Sequence, residues 1–239
     1  MRIRYIFVFV LISASILGMY FVSQNFSRVV NLDPMIIPAQ SGFSVSFNPS
    51  DLRMLREYPE DTYTLNGSYF GKTKTGAYFP AGLFLSGWIQ FSTLDSTDPN
   101  LSHVVEYRGV GAIMRIIRVT EYDSTSCKND CYAFQAGPLL LESGQKITNF
   151  GGSWHASERH ERTILCSIEK GVNYFLLFPE PITLTNVEDF ILSRGEFRDQ
   201  KTTCINLDGG PSTAVSVQWS RSRGSFRPES RLPILIHVR

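Results

Sequence analysis

Residues 204–214 read Cys-Ile-Asn-Leu-Asp-Gly-Gly-Pro-Ser-Thr-Ala. The carboxylate of Asp208 closes an apolar, strand-like stretch. Gly209, Gly210 and Pro211 then force a turn that ends on the hydroxyls of Ser212 and Thr213. Glycine lets the main chain approach a ligand closely and turn its N–H groups outward, so a charge beside paired glycines at a strand end suits catalysis or anion binding. The plainer alternative is a hairpin, because Asp-Gly between two strands is a strong turn signal.

Three further segments place polar groups where a site could use them. Asn66-Gly67 ends a strand-like run and leads into Ser68, Tyr69 and Phe70. Gln135-Ala-Gly-Pro138 breaks another strand before Leu139–Leu141. Arg162 opens the apolar Thr163–Ile168 stretch, preceded by His155, Glu158, Arg159, His160 and Glu161. Singly, each reads as a turn, a break or a solvated charged loop.

The elements that must hold these residues are mostly strands. Alternation or β-branched and aromatic enrichment predicts strands over residues 43–47, 62–65, 83–89, 103–107, 111–119 and 132–135. A hairpin is expected from 163–168 and 172–178 across residues 169–171, and strands over 203–207, 213–218 and 233–238 complete the set. Ser50 caps a short helix over 50–58. A second helix starts at Thr185, with Glu188 as its capping-box partner, Val187, Phe190 and Ile191 on one face, and Gly195 as its stop. The sum is an α+β fold, a twisted mixed or antiparallel sheet with few helices in a single domain.

Composition narrows the class. The 239 residues are 43% apolar, enough for one core, and 23 basic against 22 acidic residues give a net charge of +1 with no footprint for nucleic acid. Arg2 and Arg4 precede a weakly polar to apolar run over residues 6–22, which reads as a signal peptide or membrane anchor over 1–23. A polar, proline-containing linker follows over 24–41, and the folded domain spans 42–239. The chain beyond the membrane segment is therefore expected outside the cytoplasm, in the periplasm or cell envelope, secreted or anchored. In that compartment four cysteines can pair as Cys127–Cys131 and Cys166–Cys204; free thiols, or metal binding by the first pair, are the alternatives.

Taken in order, Asn66-Gly67 followed by aromatics, Gln135-Ala-Gly-Pro-Leu-Leu140, Arg162-Thr-Ile and Asn206-Leu-Asp-Gly-Gly-Pro-Ser-Thr213 resemble the phosphodiester glycosidase domain family over roughly residues 43–217. Asn206–Gly210 is the most specific element. The chain departs from the common pattern at Ser68 and Cys166, where glycine is frequent, and at Pro211. The resemblance implies a hydrolase that cleaves the glycosyl C–O bond of a sugar-1-phosphodiester in an envelope or extracellular glycan. It needs no cofactor or metal.

The residue roles that fit this chemistry follow from the leaving group. Glycosidases normally use two carboxyl groups. A phosphate monoester departs as a stable anion, so one carboxylate and one cation can suffice. Asp208 then serves as nucleophile or base and Arg162 as phosphate clamp. Asn66, Gly67, Gln135 and Asn206 are substrate-binding positions, and Gly209, Gly210 and Ser212 form an anion-binding turn. Glu161 is the spare carboxylate, and His155 and His160 are candidate proton carriers. Two rivals remain: a metal-dependent phosphodiesterase cleaving P–O with Asp208 as ligand, and a non-catalytic glycan binder stacking sugars on Trp88, Trp154 or Trp219. The arginine-rich stretch 220–231 is an exposed loop, or a holder of anionic groups.

Overall fold

Alternating apolar and polar residues let a strand cover a core with one face, and Phe43-Ser-Val-Ser-Phe47 behaves so: Phe43 and Val45 are buried, Ser44 and Ser46 only partly. The structure, a computed structural model, describes residues 34–39, 43–47, 63–87, 89–108, 113–127, 131–150, 157–168, 172–198, 201–217 and 232–238. These belong to one compact unit, Asp33–Arg239.

In chain order the strands are β1 (Met35–Pro38), β2 (Phe43–Phe47), β3 (Tyr63–Asn66), β4 (Phe70–Lys72), β5 (Tyr78–Pro80), β6 (Phe84–Ser86) and β7 (Ile89–Ser92). There follow β8 (His103–Arg108), β9 (Ile113–Arg118), β10 (Cys131–Ala136), β11 (Leu139–Glu142), β12 (Gln145–Lys146), β13 (His160–Ser167) and β14 (Asn173–Ile182). Helices α1 (Leu184–Ser193) and α2 (Gly195–Arg198) precede β15 (Thr203–Asn206), β16 (Val215–Val217) and β17 (Ile234–Val238).

The strands form four sheets: a six-stranded one, β1-β14-β13-β15-β11-β12; a five-stranded one, β7-β6-β10-β8-β9; a four-stranded one, β16-β3-β17-β2; and the β4-β5 pair. All described pairings are antiparallel. The expectation of one mixed or antiparallel sheet is thus corrected to several antiparallel ones, because the chain crosses between sheets, as it does between β15 and β16. The fold is mostly sheet with few helices.

The six-stranded sheet has a core on each face. On one, Leu165, Phe175, Leu177 and Ile205 meet Val105, Tyr107 and Phe134 of the five-stranded sheet and Val45, Leu65 and Ile236 of the four-stranded sheet. Phe43 stacks on Tyr107 with ring centroids 4.1 Å apart and meets Phe175 edge-on. On the other face, Ile164, Leu176 and Cys204 pack against Leu184, Val187 and Ile191 of α1 and Phe197 of α2. Burying each such side chain stabilises the fold by about 1.5–3 kcal/mol before entropy is counted, so α1 is held by its apolar face.

Several elements differ from expectation for local reasons. The stretch 83–89 splits into β6 and β7 around Gly87, whose φ of +61° takes the chain out of extended geometry. The α1 cap is Thr183, which is extended and accepts from the N–H of Asn186, so Thr185 lies within the first turn. Glu188 is buried instead of turning back to the cap. Gly195 opens α2, and Arg194 caps α1. Inside the expected linker, Met35–Pro38 pairs with β14 as an edge strand, where proline is tolerated.

Both expected disulfides are formed, Cys127–Cys131 and Cys166–Cys204. The membrane segment, the 50–58 helix, His155, the three tryptophans and the 220–231 stretch lie outside the described residues. Among the described residues no helix is long and apolar enough to cross a membrane.

Candidate active site

Asp208 is carried to its position by a strand end held on both sides. In β15, Asn206 pairs with Ile164 of β13. Its main chain also exchanges hydrogen bonds with the β11 side, from Gly137 N at 3.0 Å and to Pro138 O at 3.1 Å. Leu207 N donates to Thr163 O at 2.8 Å, so Asp208 leaves the sheet beside Arg162. The Cys166–Cys204 disulfide joins directly opposed residues of these two strands. Cys166 therefore serves the sheet and is not among the residues lining the site.

The hairpin alternative for the Asp-Gly-Gly turn fails on topology. β15 belongs to the six-stranded sheet and β16 pairs with β3 in the four-stranded one, so residues 207–214 cross between sheets. Asn66, at the end of β3 and fully buried, ties the crossing down. Its Nδ2 donates to Asp208 O at 2.7 Å, and its Oδ1 accepts from Thr163 Oγ1 at 2.7 Å and Ala214 N at 3.2 Å. Gly67 O accepts from Asp208 N at 3.3 Å.

The two glycines are required by geometry. A Cβ on Gly209 would stand 2.9 Å from the carbonyl oxygen of Glu161, and Gly210 has φ +58°, which side-chain-bearing residues rarely adopt. A short 3₁₀ turn, Gly210–Ser212, follows.

Tyr69, His160, Arg162, Asp208, Gly209, Gly210 and Pro211 line a hollow of about 160 Å³. Asp208 is half-buried and makes no salt bridge among the described residues. Its Oδ1 accepts from Gly209 N at 2.9 Å. Loss of water pushes its carboxyl up to about 7, against hydrogen bonds from Ser212 and Gly209 that pull the other way. Arg162 is 2% exposed; its Nη2 donates to Glu158 O at 2.8 Å and its Nε to Ile182 O at 3.4 Å. Desolvation lowers its pKa, while the neighbouring Tyr69 and Glu158 side chains raise it. A guanidinium nonetheless keeps its charge at neutral pH.

Tyr69 stands between them electrostatically. Burial first, and Asp208's charge second, push its phenol well above the ordinary range, so it stays neutral. Its hydroxyl donates to Gly137 O at 2.8 Å and accepts from Asn206 Nδ2 at 2.6 Å. Asn206 Nδ2 also contacts Gly137 O and Leu207 O, and its Oδ1 is buried without a partner.

Of the residues expected at the site, Asp208, Arg162, Gly209 and Gly210 line the hollow, and Ser212 reaches it through Asp208. Asn66, Gly67 and Asn206 stand behind it. Gln135 is elsewhere: its Oε1 accepts from Leu83 N and Asp95 N, and its Nε2 donates to Asp95 O and Leu101 O, so the amide is spent on holding the 94–101 loop. Ser68, the departure from the family pattern, donates to Gln135 O. His160 lines the hollow and its Nε2 lies 2.8 Å from Glu158 Oε2, while Glu161 is not among the lining residues. Tyr69 is the residue that sequence reasoning passed over. Its only signal was an aromatic placed two residues after Asn66-Gly67.

For a metal, the only three-ligand cluster among the described residues is Glu106, Cys127 and Cys131. Its two sulfurs are joined in the disulfide. What the hollow offers is a carboxyl balanced near neutrality beside a buried cation, a pair suited to an anionic substrate.

A family model described as phosphodiester glycosidase matches residues 61–233. The fold is similar to the catalytic domain of zebrafish N-acetylglucosamine-1-phosphodiester alpha-N-acetylglucosaminidase, auto-inhibited by its pro-peptide: 13% identity over 82% of this chain and 72% of that one, TM-score 0.56. A hypothetical protein from Synechocystis aligns at 12% identity over 87% of this chain and 57% of its own, TM-score 0.48. A sequence search of curated proteins returns no significant match.

Proposed function

The chain belongs to the phosphodiester glycosidase family, and we propose that it hydrolyses the glycosyl C–O bond of a sugar-1-phosphodiester in an envelope or extracellular glycan. The observation that carries this reading is that Arg162 of β13 and Asp208, just beyond the end of β15, line one small hollow.

In this reading Asp208 faces the anomeric carbon, as nucleophile or as base for water, and answers the positive charge that develops on the sugar ring. Arg162 holds the phosphate, and its dry setting strengthens that attraction. Gly209 and Ser212 hold the Asp208 carboxylate by hydrogen bonds, and the paired glycines let a substrate approach the turn closely. The departing phosphate monoester carries its own charge, so a second carboxyl is not needed as acid. Asn66, Gly67 and Asn206 act from behind: Asn66 and Gly67 fix the Asp208 backbone, and Asn206 fixes Tyr69. The two disulfides support an oxidising compartment outside the cytoplasm.

Asp208→Asn tests the assignment. Release of sugar from a sugar-1-phosphodiester should fall by about 10³-fold or more, with the thermal midpoint at pH 8 unchanged or raised. Turnover within a few-fold of the parent would remove Asp208 from the chemistry.

A further inference from the structure

The large apolar side chains that the fold leaves in water are grouped. Among the described residues they are Phe79, Ile89, Phe91 and Leu94, exposed by 45, 58, 40 and 38%. Phe79 belongs to β5, which packs against β7; Ile89 and Phe91 are in β7, and Leu94 follows it. Single exposed apolar residues need no explanation, but four on adjoining elements mark an interaction face. Phe91 packs against Phe47 and Phe84, with ring centroids 5.2 and 5.7 Å away, so the face is anchored to the core.

Charge is distributed around this face in a definite way. Residues 75–94 contain no charged side chain, and Lys72 and Lys74 stand just before them. The β4–β5 pairing sets Lys72 opposite Tyr78 and Gly71 opposite Phe79. Lys72 Nζ lies 5.2 Å from the centre of the Tyr78 ring, and every residue from Lys72 to Ala77 is exposed. On the far side Asp95 turns its carboxylate to its own loop, where Oδ1 accepts from Thr97 N at 2.8 Å and Thr97 Oγ1 at 2.7 Å. The outward charge at the rim is therefore basic.

The shape of β7 separates the possible occupants. It is an edge strand of four residues with a register shift against β6. Short, irregular edges resist the addition of another strand, which argues against a second chain. An uncharged apolar face rimmed by lysines matches an anionic bilayer surface, where apolar side chains enter the headgroup boundary and lysines meet the phosphates. The sequence also brings a bilayer near. Only residues 23–34, at most about 40 Å of extended chain, separate the apolar run 6–22, expected to enter the membrane, from Met35 at the start of β1. We propose that the folded domain docks on an anionic lipid surface through β5, β7 and Leu94, with Lys72 and Lys74 at the headgroups. None of these residues lines the Asp208 hollow.

The test reconstitutes the full chain in vesicles of phosphatidylcholine, with or without phosphatidylglycerol, that carry a phospholipid with a photoactivatable acyl chain. Mass spectrometry then locates the labelled peptides. Label is expected in residues 75–94 as well as in the N-terminal segment, and in 75–94 it should fall about tenfold without the anionic lipid. Ile89→Ser with Leu94→Ser should lower that label about tenfold. Lys72→Ala with Lys74→Ala should do the same, a loss that fades in high salt. Matching thermal midpoints check folding; where the apolar pair unfolds the chain, the lysine pair, on an exposed turn, still decides. Label confined to the N-terminal segment, or unchanged by the lysine pair at low salt, would overturn the proposal. Deuterium-exchange protection over residues 89–92 that rises with protein concentration in the absence of lipid would assign the face to a second copy and also reject it.

Discussion

Glu106 and Asp208 are both acids drawn out of water, and the protein surrounds them in opposite ways. The Glu106 side chain is 1% exposed, with Arg108 at 3.2 Å and Arg115 at 3.8 Å on the same oxygen. Asp208 keeps some contact with solvent yet makes no salt bridge among the described residues; a glycine N–H and a serine hold it, and its carboxyl is pushed up to about 7. A cation beside a buried acid fixes its charge and makes it structural. Withholding the cation leaves the acid poised between two protonation states, which is what a nucleophile or base working near neutrality requires.

Asp208→Asn against Glu106→Gln gives the largest contrast. The first should abolish turnover, as stated above. The second should leave kcat of the folded protein intact and cost about 1–3 kcal/mol of stability, because a hydrogen-bonded charge is lost from a sealed site. Equal effects of the two on turnover would erase the distinction.

The disulfides sharpen it next. Chain entropy predicts about 4 kcal/mol lost on removing Cys166–Cys204, whose cysteines are 38 residues apart, and about 2 kcal/mol for Cys127–Cys131, 4 apart. Urea midpoints of the paired Cys→Ser variants measure both. Only the first should also lower kcat, because it pins β13, which carries Arg162, to β15, which leads into Asp208.

Arg162→Lys should lower kcat/KM on phosphodiesters by about 10²-fold and leave any slow cleavage of neutral glycosides unchanged. Parallel losses would make Arg162 a scaffold residue only.

The smallest effect is one of pH. Asp208 must be ionised to act, so kcat/KM should rise through about pH 7 and level off above. Stability runs the other way. The folded carboxyl holds its proton above the unfolded value of 3.8, so the folded state is favoured below that value and the advantage is lost as pH rises through about 7. Thermal scans should show the Asp208→Asn variant gaining on the parent between pH 5 and 8. A pH-independent difference would mean that Asp208 is ionised throughout.

Much of this could be read from the chain. The alternation of residues 43–47 gives β2 to the residue, and both disulfides follow from compartment and spacing. The approach of Asp208 and Arg162 was legible only because the motifs occur in a known order. Nothing local to either residue encodes the 142 residues separating Asn66 from the Asp208 carbonyl it binds. Gln135 shows the limit: a glutamine at a strand break looks available, but its amide is fully engaged by backbone from a loop that carries no matching signal. Tyr69 shows the converse, since an aromatic in a sheet protein reads as core until its hydroxyl is seen beside Gly137 and Asn206.

The most direct test is the position of oxygen-18 after hydrolysis of a sugar-1-phosphodiester in labelled water. Attack assisted by Asp208 at the glycosyl carbon puts the label on the sugar and none in the phosphate. Label recovered in the phosphate would mean P–O cleavage and would contradict the account.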